Sequence, residues 1–196
     1  MDKYSILKQY YGHSAFRAGQ EALIDAILSG RDALCVMPTG GGKSLCYQIP
    51  ALLLPGITLV VSPLISLMKD QVAALKSAGI SAAYINSSLT GEQIRTVYAR
   101  TRKGAYKLIY VAPERLETNS FLSLMQEMDV SFLAVDEAHC ISQWGQDFRP
   151  SYLRIKAFVD SLPSRPVVGA FTATATAHVR DDIRTHLCLL YTSDAA

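Results

Sequence analysis

Ala33-Leu34-Cys35-Val36-Met37-Pro38-Thr39-Gly40-Gly41-Gly42-Lys43-Ser44 is an apolar run that stops at a glycine-rich turn and passes into a helical pattern. A strand, a glycine turn and a helix start in that order form the setting of a phosphate loop. Glycines let backbone amides converge on phosphate oxygens, and the helix N-terminus adds partial positive charge. Lys43 can reach the β- and γ-phosphates of a bound nucleotide, and the Ser44 hydroxyl suits Mg²⁺. The strict pattern opens on glycine where this chain has Met37, so the match is carried by the strand, the Gly-Lys-Ser ending and the helix.

Working outward, short apolar β-rich runs recur at Ala33–Met37, Thr58–Ser62, Ala82–Ile85, Leu108–Val111, Phe132–Val135 and Val167–Phe171. Between them, helical spacing marks Gln20–Leu28, Lys43–Leu53, Leu64–Ser77, Gly91–Arg102, Phe121–Met128, Ser151–Ser161 and Thr176–Leu187. Continuous apolar strands alternating with helices predict an α/β fold, a mostly parallel sheet with helices on both faces. Such folds bind ligands at the carboxyl ends of their strands, which is where the chemically interesting residues fall. The pattern fades over Leu189–Ala196, which is expected to be an irregular tail, truncated or artificial.

Composition sets the bounds. With 196 residues, 49% hydrophobic and 18% charged, the chain can bury one full core and does not read as disordered. A formal net charge of +2 gives no global field for nucleic acid, so any such site has to be local. The longest apolar run, Ile49 to Leu54, is prolines-interrupted and far short of the roughly 20 residues of a membrane span. No basic-then-apolar leader opens the sequence, which predicts a cytoplasmic protein without a membrane partner. Cys35, Cys46, Cys140 and Cys188 form no C-x-x-C pair and read as free thiols.

A second acidic site is needed to hold a metal and activate water. Phe132-Leu133-Ala134-Val135 runs into Asp136-Glu137, placing two carboxylates at a strand's carboxyl end. Asp136 can hold Mg²⁺, while Glu137 is suited to orient or deprotonate an attacking water.

Asp136-Glu137-Ala138-His139 and the phosphate loop together resemble superfamily 2 helicases. The continuation Cys140-Ile141-Ser142-Gln143-Trp144-Gly145-Gln146-Asp147-Phe148-Arg149-Pro150 resembles specifically the RecQ family of DNA helicases. So do Phe16-Arg17-Ala18-Gly19-Gln20, the segment from Val61 to Gln71, Tyr110 to Leu116, and Thr172-Ala173-Thr174-Ala175-Thr176. The resemblance runs from Phe16 to about Leu187 and implies a RecA-like P-loop NTPase fold. It implies ATP and Mg²⁺ as cofactors, hydrolysis carried by Lys43, Ser44, Asp136, Glu137 and His139, and a part in DNA repair and recombination. The loop residues Met37, Pro38, Thr39, Gly40, Gly41 and Gly42 would cradle the phosphates. Gln20 would bond the adenine edge, a pairing that amides can make, with His13, Phe16 and Arg17 around the base. Ser62, Lys69, Glu114 and Arg115 would touch a strand's phosphates and sugars, which positions the strand without reading it. Trp144, Phe148 and Arg149 would form an aromatic loop that stacks on unpaired bases, and Thr172 and Thr174 would transmit nucleotide state.

The expected whole is therefore the first RecA-like lobe, residues 1–188, of an ATP-dependent 3′–5′ DNA helicase acting on single-stranded DNA and duplex junctions. No sequence after Phe171 could build a second sheet, so the arginines of a second RecA-like lobe are expected to come from elsewhere. On that basis the chain should bind ATP, hydrolyse it poorly and not unwind DNA alone. Two other readings stand beside it: a nucleotide- and DNA-binding module without turnover, and an RNA helicase lobe, since Asp-Glu-Ala-His also marks RNA-remodelling enzymes.

Overall fold

A computed structural model describes residues 1–190 and 193–195. Among the described residues seven strands form one sheet, β1 (Ala33–Val36), β2 (Ile57–Val61), β3 (Ala82–Ile85), β4 (Leu108–Val111), β5 (Val130–Val135), β6 (Val167–Thr172) and β7 (Ser193–Ala195), in the order β3-β4-β2-β5-β6-β1-β7. Every pairing is parallel, as buried strands joined by helical crossovers should be.

Alternation along the strands divides the core in two. Leu59 and Val61 of β2, and Leu133 and Val135 of β5, face one side; Val60, Phe132 and Ala134 face the other. The first side is covered by α5 (Gly91–Arg102), α6 (Asn119–Gln126), α7 (Ile155–Ser161) and α8 (Ala177–Leu187), which bury Tyr98, Phe121, Phe158 and Ile183 there. On the second side lie α2 (Gln20–Leu28), α3 (Lys43–Leu53) and α4 (Ile65–Ser77), contributing Leu23, Tyr47 and Met68. Among the described residues no helix is long and apolar enough to cross a membrane.

Two elements depart from expectation. Helix α1 (Lys3–Tyr11) was unread in the sequence because only Ile6 and Leu7 are buried, too few to make a stripe. Its signals are its ends: the Asp2 carboxylate accepts from the Ser5 N–H at 2.7 Å, and Gly12 closes it at φ +69°. Ile6 and Leu7 pack with Ile24 of α2 and Ile49 of α3 as a separate small cluster. The expected irregular tail is the second correction, because Ser193–Ala195 runs beside β1 as the sheet's edge strand. Backbone pairing brings it there, and the sequence carries no apolar pattern for that. Just before it, the Leu190 N–H donates to the buried Asp32 carboxylate at 2.6 Å, and the same carboxylate accepts from the Val168 N–H and pairs with Arg165 at 2.7 Å. Positions 191, 192 and 196 of the expected tail lie outside the described residues.

Candidate functional site

Strands β5, β6 and β1 are neighbours in the sheet, and β2 flanks β5 on its other side. On the site side the ladders continue one residue past the strand ends: the Met37 N–H donates to the Thr172 carbonyl of β6 at 3.0 Å, and the Asp136 N–H to the Val61 carbonyl of β2 at 2.9 Å. This fixes the phosphate loop, Thr172 and the two acids in one row, with Thr172 in the middle.

The loop turns through Gly40 and Gly42 at φ +81° and +83°, and no side chain caps α3 at Gly42. The first amides of α3 are therefore left without a side-chain cap, the arrangement that suits an anion at a helix N-terminus. Gly42 is required twice over: its φ disfavours other residues, and a Cβ there would lie 2.4 Å from Nε2 of Gln20. Met37, the departure from the strict pattern, lays its side chain against Gly41, where a Cβ would meet Met37 Cγ at 2.5 Å. Lys43 Nζ donates to the Met37 carbonyl at 3.3 Å, which holds the ammonium at the loop's mouth.

The N-terminal segment binds this loop directly. Arg17 donates from Nη1 to the Gly40 carbonyl at 2.6 Å. Gln20, only 2% exposed, accepts from the Arg17 N–H at 2.9 Å and donates to the carbonyls of Gly41 and Gly42 at 3.2 and 3.3 Å. The carboxamide expected to bond the adenine edge is thus already partnered at both ends, since burial forces each of its polar atoms to find a partner. His13 is exposed, and Phe16 is half-buried against the Tyr4 ring at 5.5 Å.

Asp136 is buried, and its carboxyl is pushed up to about 6, first by burial, then by the adjacent Glu137 charge. Lys43 and the Glu137 N–H, which donates to Oδ1 at 3.0 Å, oppose the shift. The Tyr152 hydroxyl, buried with its ring, donates to the Asp136 carbonyl at 2.8 Å. Tyr152 was missed in the sequence; its signal is an aromatic hydroxyl that needs a partner once buried, but the partner is not legible.

Glu137 takes a left-handed backbone conformation, φ 50° and ψ 44°, which a non-glycine residue rarely adopts. The turn aims its carboxylate at His139, with Oε2 3.3 Å from Nδ1. Nδ1 also lies 2.8 Å from the Thr172 hydroxyl, whose proton is donated to the Thr174 carbonyl at 3.0 Å. A hydroxyl has one proton, so Nδ1 must be the donor toward Thr172. The chain Glu137, His139, Thr172, Thr174 is continuous.

The donor set fits Mg²⁺. Ser44 offers a hydroxyl and Asp136 a carboxylate, both hard oxygens, and among the described residues no cluster of three or more His, Cys, Asp or Glu exists to hold a metal by protein alone. That is the habit of Mg²⁺, which relies on one or two carboxylates with phosphates and waters.

A model of the DEAD/DEAH box helicase family matches residues 17–183. The chain belongs to the DEAD/DEAH box helicase family. It is 54% identical over 180 residues to the ATP-dependent DNA helicase RecQ of Bacillus subtilis, covering 91% of this chain and 30% of that protein. Against the ATP-dependent DNA helicase RecQ of Haemophilus influenzae it is 54% identical over 185 residues, covering 94% and 30%. The helicase chain thus spans about 30% of the length of these curated relatives. A DUF1998 helicase, MrfA, bound to DNA and AMPPNP, superposes with a TM-score of 0.79 over 100% of this chain and 29% of that one, at 19% identity. A hypothetical ATP-dependent RNA helicase from Sulfolobus tokodaii gives 0.73 over 98% and 56%, at 21% identity. Both structural likenesses speak for the shared fold.

Other residues expected in strand contact divide in this helicase-family chain. Lys69 and Glu114 are exposed and Arg115 half-buried on the strand-end side. Ser62 is a correction: it is 1% exposed, its N–H extends the ladder to the Val111 carbonyl at 3.1 Å, and its hydroxyl accepts from the Leu64 N–H at 3.5 Å. Its place is inside the turn into α4. Trp144 is 75% exposed, edge-on to His178 at 5.5 Å, on a turn that presses Gly145 against the His139 carbonyl so closely that a Cβ would lie 2.4 Å away. Phe148 is half-buried. Arg149 is bound to Asp147 at 2.9 Å and to the Pro63 carbonyl at 3.4 Å, so its guanidinium is already paired where a free phosphate contact was expected.

Proposed function

We propose that residues 1–188 are the nucleotide-binding RecA-like lobe of an ATP-dependent 3′–5′ DNA helicase of the RecQ kind, working beside DNA in the cytoplasm. It would act with a second RecA-like lobe on single-stranded DNA and duplex junctions. The observation that carries this reading is the seating of Lys43 and Ser44 on one side of Thr172 and Asp136 and Glu137 on the other, at the ends of three adjacent strands.

Each residue then has a task. The α3 amides and Lys43 bind the phosphates of ATP. Ser44 and Asp136 would hold Mg²⁺, which when bound neutralises phosphate charge. Glu137 orients or deprotonates the attacking water, and its carboxylate stands 3.3 Å from His139 Nδ1, whose proton goes to Thr172. Gln20 and Arg17 bind the loop and lie where a base edge could exchange with their present partners. Lys69, Arg115 and Trp144 would meet the strand, Trp144 through its exposed ring. The relatives' printed names favour DNA over RNA as the strand.

The test is ATP hydrolysis with and without single-stranded DNA, for this chain beside Lys43→Ala, after nucleotide binding to the wild type is measured. Tight binding with negligible turnover, restored with DNA stimulation when a second lobe is added, supports the reading. Absence of ATP binding sinks it, and preference for RNA in competition would move it to the RNA-remodelling class.

A further inference from the structure

Apart from the row of strand ends, the second core face holds a polar chain inside an otherwise apolar layer. Gln48 of α3 is 4% exposed. Its Oε1 accepts from the Tyr11 hydroxyl at 3.0 Å, while Nε2 donates to Gln71 Oε1 at 3.0 Å and to the Tyr110 hydroxyl at 3.1 Å. Tyr110 itself is buried on β4. One carboxamide thereby touches α1, α4 and β4.

Its location matters more than its satisfaction. Gln48 sits just over one turn along the helix that starts at Lys43 and Ser44. Gln71 lies two residues beyond the exposed Lys69, on the helix that opens from the Ser62–Leu64 turn. Among the described residues no other hydrogen bond joins α3 to α4. The apolar side chains between them, such as Tyr47 and Met68, can slide with little penalty, whereas a hydrogen bond weakens steeply when its distance and angle change. A buried amide left without its partner costs more than the bond contributes, so the two helices are held in one register.

We infer that Gln48, through Gln71, is a positioning residue that makes the phosphate-loop helix and the strand-contact helix move together, so that nucleotide binding and single-stranded DNA binding are coupled. This rests on the function proposed above. It touches neither nucleotide nor strand, and its substitution should leave each binary affinity intact while removing their mutual effect.

The measurement is the affinity of this chain for a labelled oligo(dT), with and without saturating AMPPNP and Mg²⁺, together with the affinity for AMPPNP alone. Wild type, Gln48→Met and Gln71→Met are compared, Met being of similar size and apolar. A coupling of about fivefold or more is expected in the wild type, in the range typical of linked sites. It should fall below about twofold in each variant with both binary affinities held, and the double variant should lose no more than either single one. If Gln48→Met melts early, Gln71→Met, altered from the half-buried side, decides. Coupling preserved in the variants, no coupling in the wild type, or binary affinities lost in both variants would overturn the inference. A wild type that binds no AMPPNP would instead overturn the proposed function, so the two failures are distinguishable.

Discussion

The Tyr152 hydroxyl donates to the main-chain carbonyl of Asp136 at 2.8 Å, joining the turn after the Trp144 loop to the end of β5. Replacing Tyr152 by Phe strips the donor and leaves a buried carbonyl unsatisfied. The expected cost is about 1–3 kcal/mol. Thermal unfolding should show it as a lower Tm, and nucleotide affinity in Mg²⁺ should fall as Asp136 loosens.

Asp136 sets a pH dependence of definite sign. Its native carboxyl, raised to about 6 from an ordinary 3.8, holds a proton that the unfolded chain has already lost. Stability from this group is present at low pH, falls as pH rises from about 4 to about 6, and stays lost above. In EDTA, Asp136→Asn should therefore be more stable than wild type at pH 7.5, by about 1–3 kcal/mol, with the gap roughly halved near pH 5 and closing toward pH 4. Melting curves of both proteins across that range test the sign; an unchanged gap would refute it.

Backbone strain at Glu137 gives a third expectation. Glu137→Ala keeps a Cβ in the left-handed region, whereas Glu137→Gly relieves it. The glycine variant should be the more stable by about 1 kcal/mol, although neither should turn ATP over when a second lobe is supplied. Chemical denaturation of the pair is the direct comparison.

Gly42 and Gln20 should behave as one unit. Gly42→Ala adds both a strained φ and a clash with Nε2 of Gln20. Destabilisation of roughly 1–3 kcal/mol is expected, with loss of nucleotide binding. In the double variant with Gln20→Ala the clash partner is gone, so the effects should fall short of additive by about 0.5 kcal/mol or more.

Six of the strands were legible because they are buried on both sides and read as apolar runs; β5 and β2 gained a residue or two at their starts. Helix α7 was expected from Ser151, but Pro150–Arg154 winds as a 3-10 turn before Ile155 begins the α-helix. Proline at the start favours such a turn, and its tighter winding does not change the apolar spacing by which helices are read. In the site, the positions of Lys43, Ser44, Asp136 and Glu137 at strand ends were readable because each pair directly follows an apolar strand run or its glycine turn. Partners were not: Arg149 pairs with Asp147 and Ser62 accepts from the Leu64 N–H, each two positions away in turns that leave no trace in the apolar pattern, and the bond from Arg149 to the Pro63 carbonyl spans 86 positions. Thr172 was readable as a segment marker, yet its bond to His139 needed β6 to be seen beside β5.

Strand β1 comes first along the chain, yet both its neighbours in the sheet come last. Asp32, at its foot, is 136 positions from the Val168 amide that it binds. A ribosome making this chain must therefore release β6 before the phosphate loop can find its seat, and contacts so distant in sequence form slowly. Until then, Leu34 and Cys35 present an unpaired apolar edge. A nucleotide bound as proposed would not help early, since Thr172 and Asp136 reach the row of strand ends only once β5 and β6 are in place. Chaperones that shield exposed strands should consequently meet this chain during synthesis, at the β1 stage, and release it once residues 167–172 have emerged.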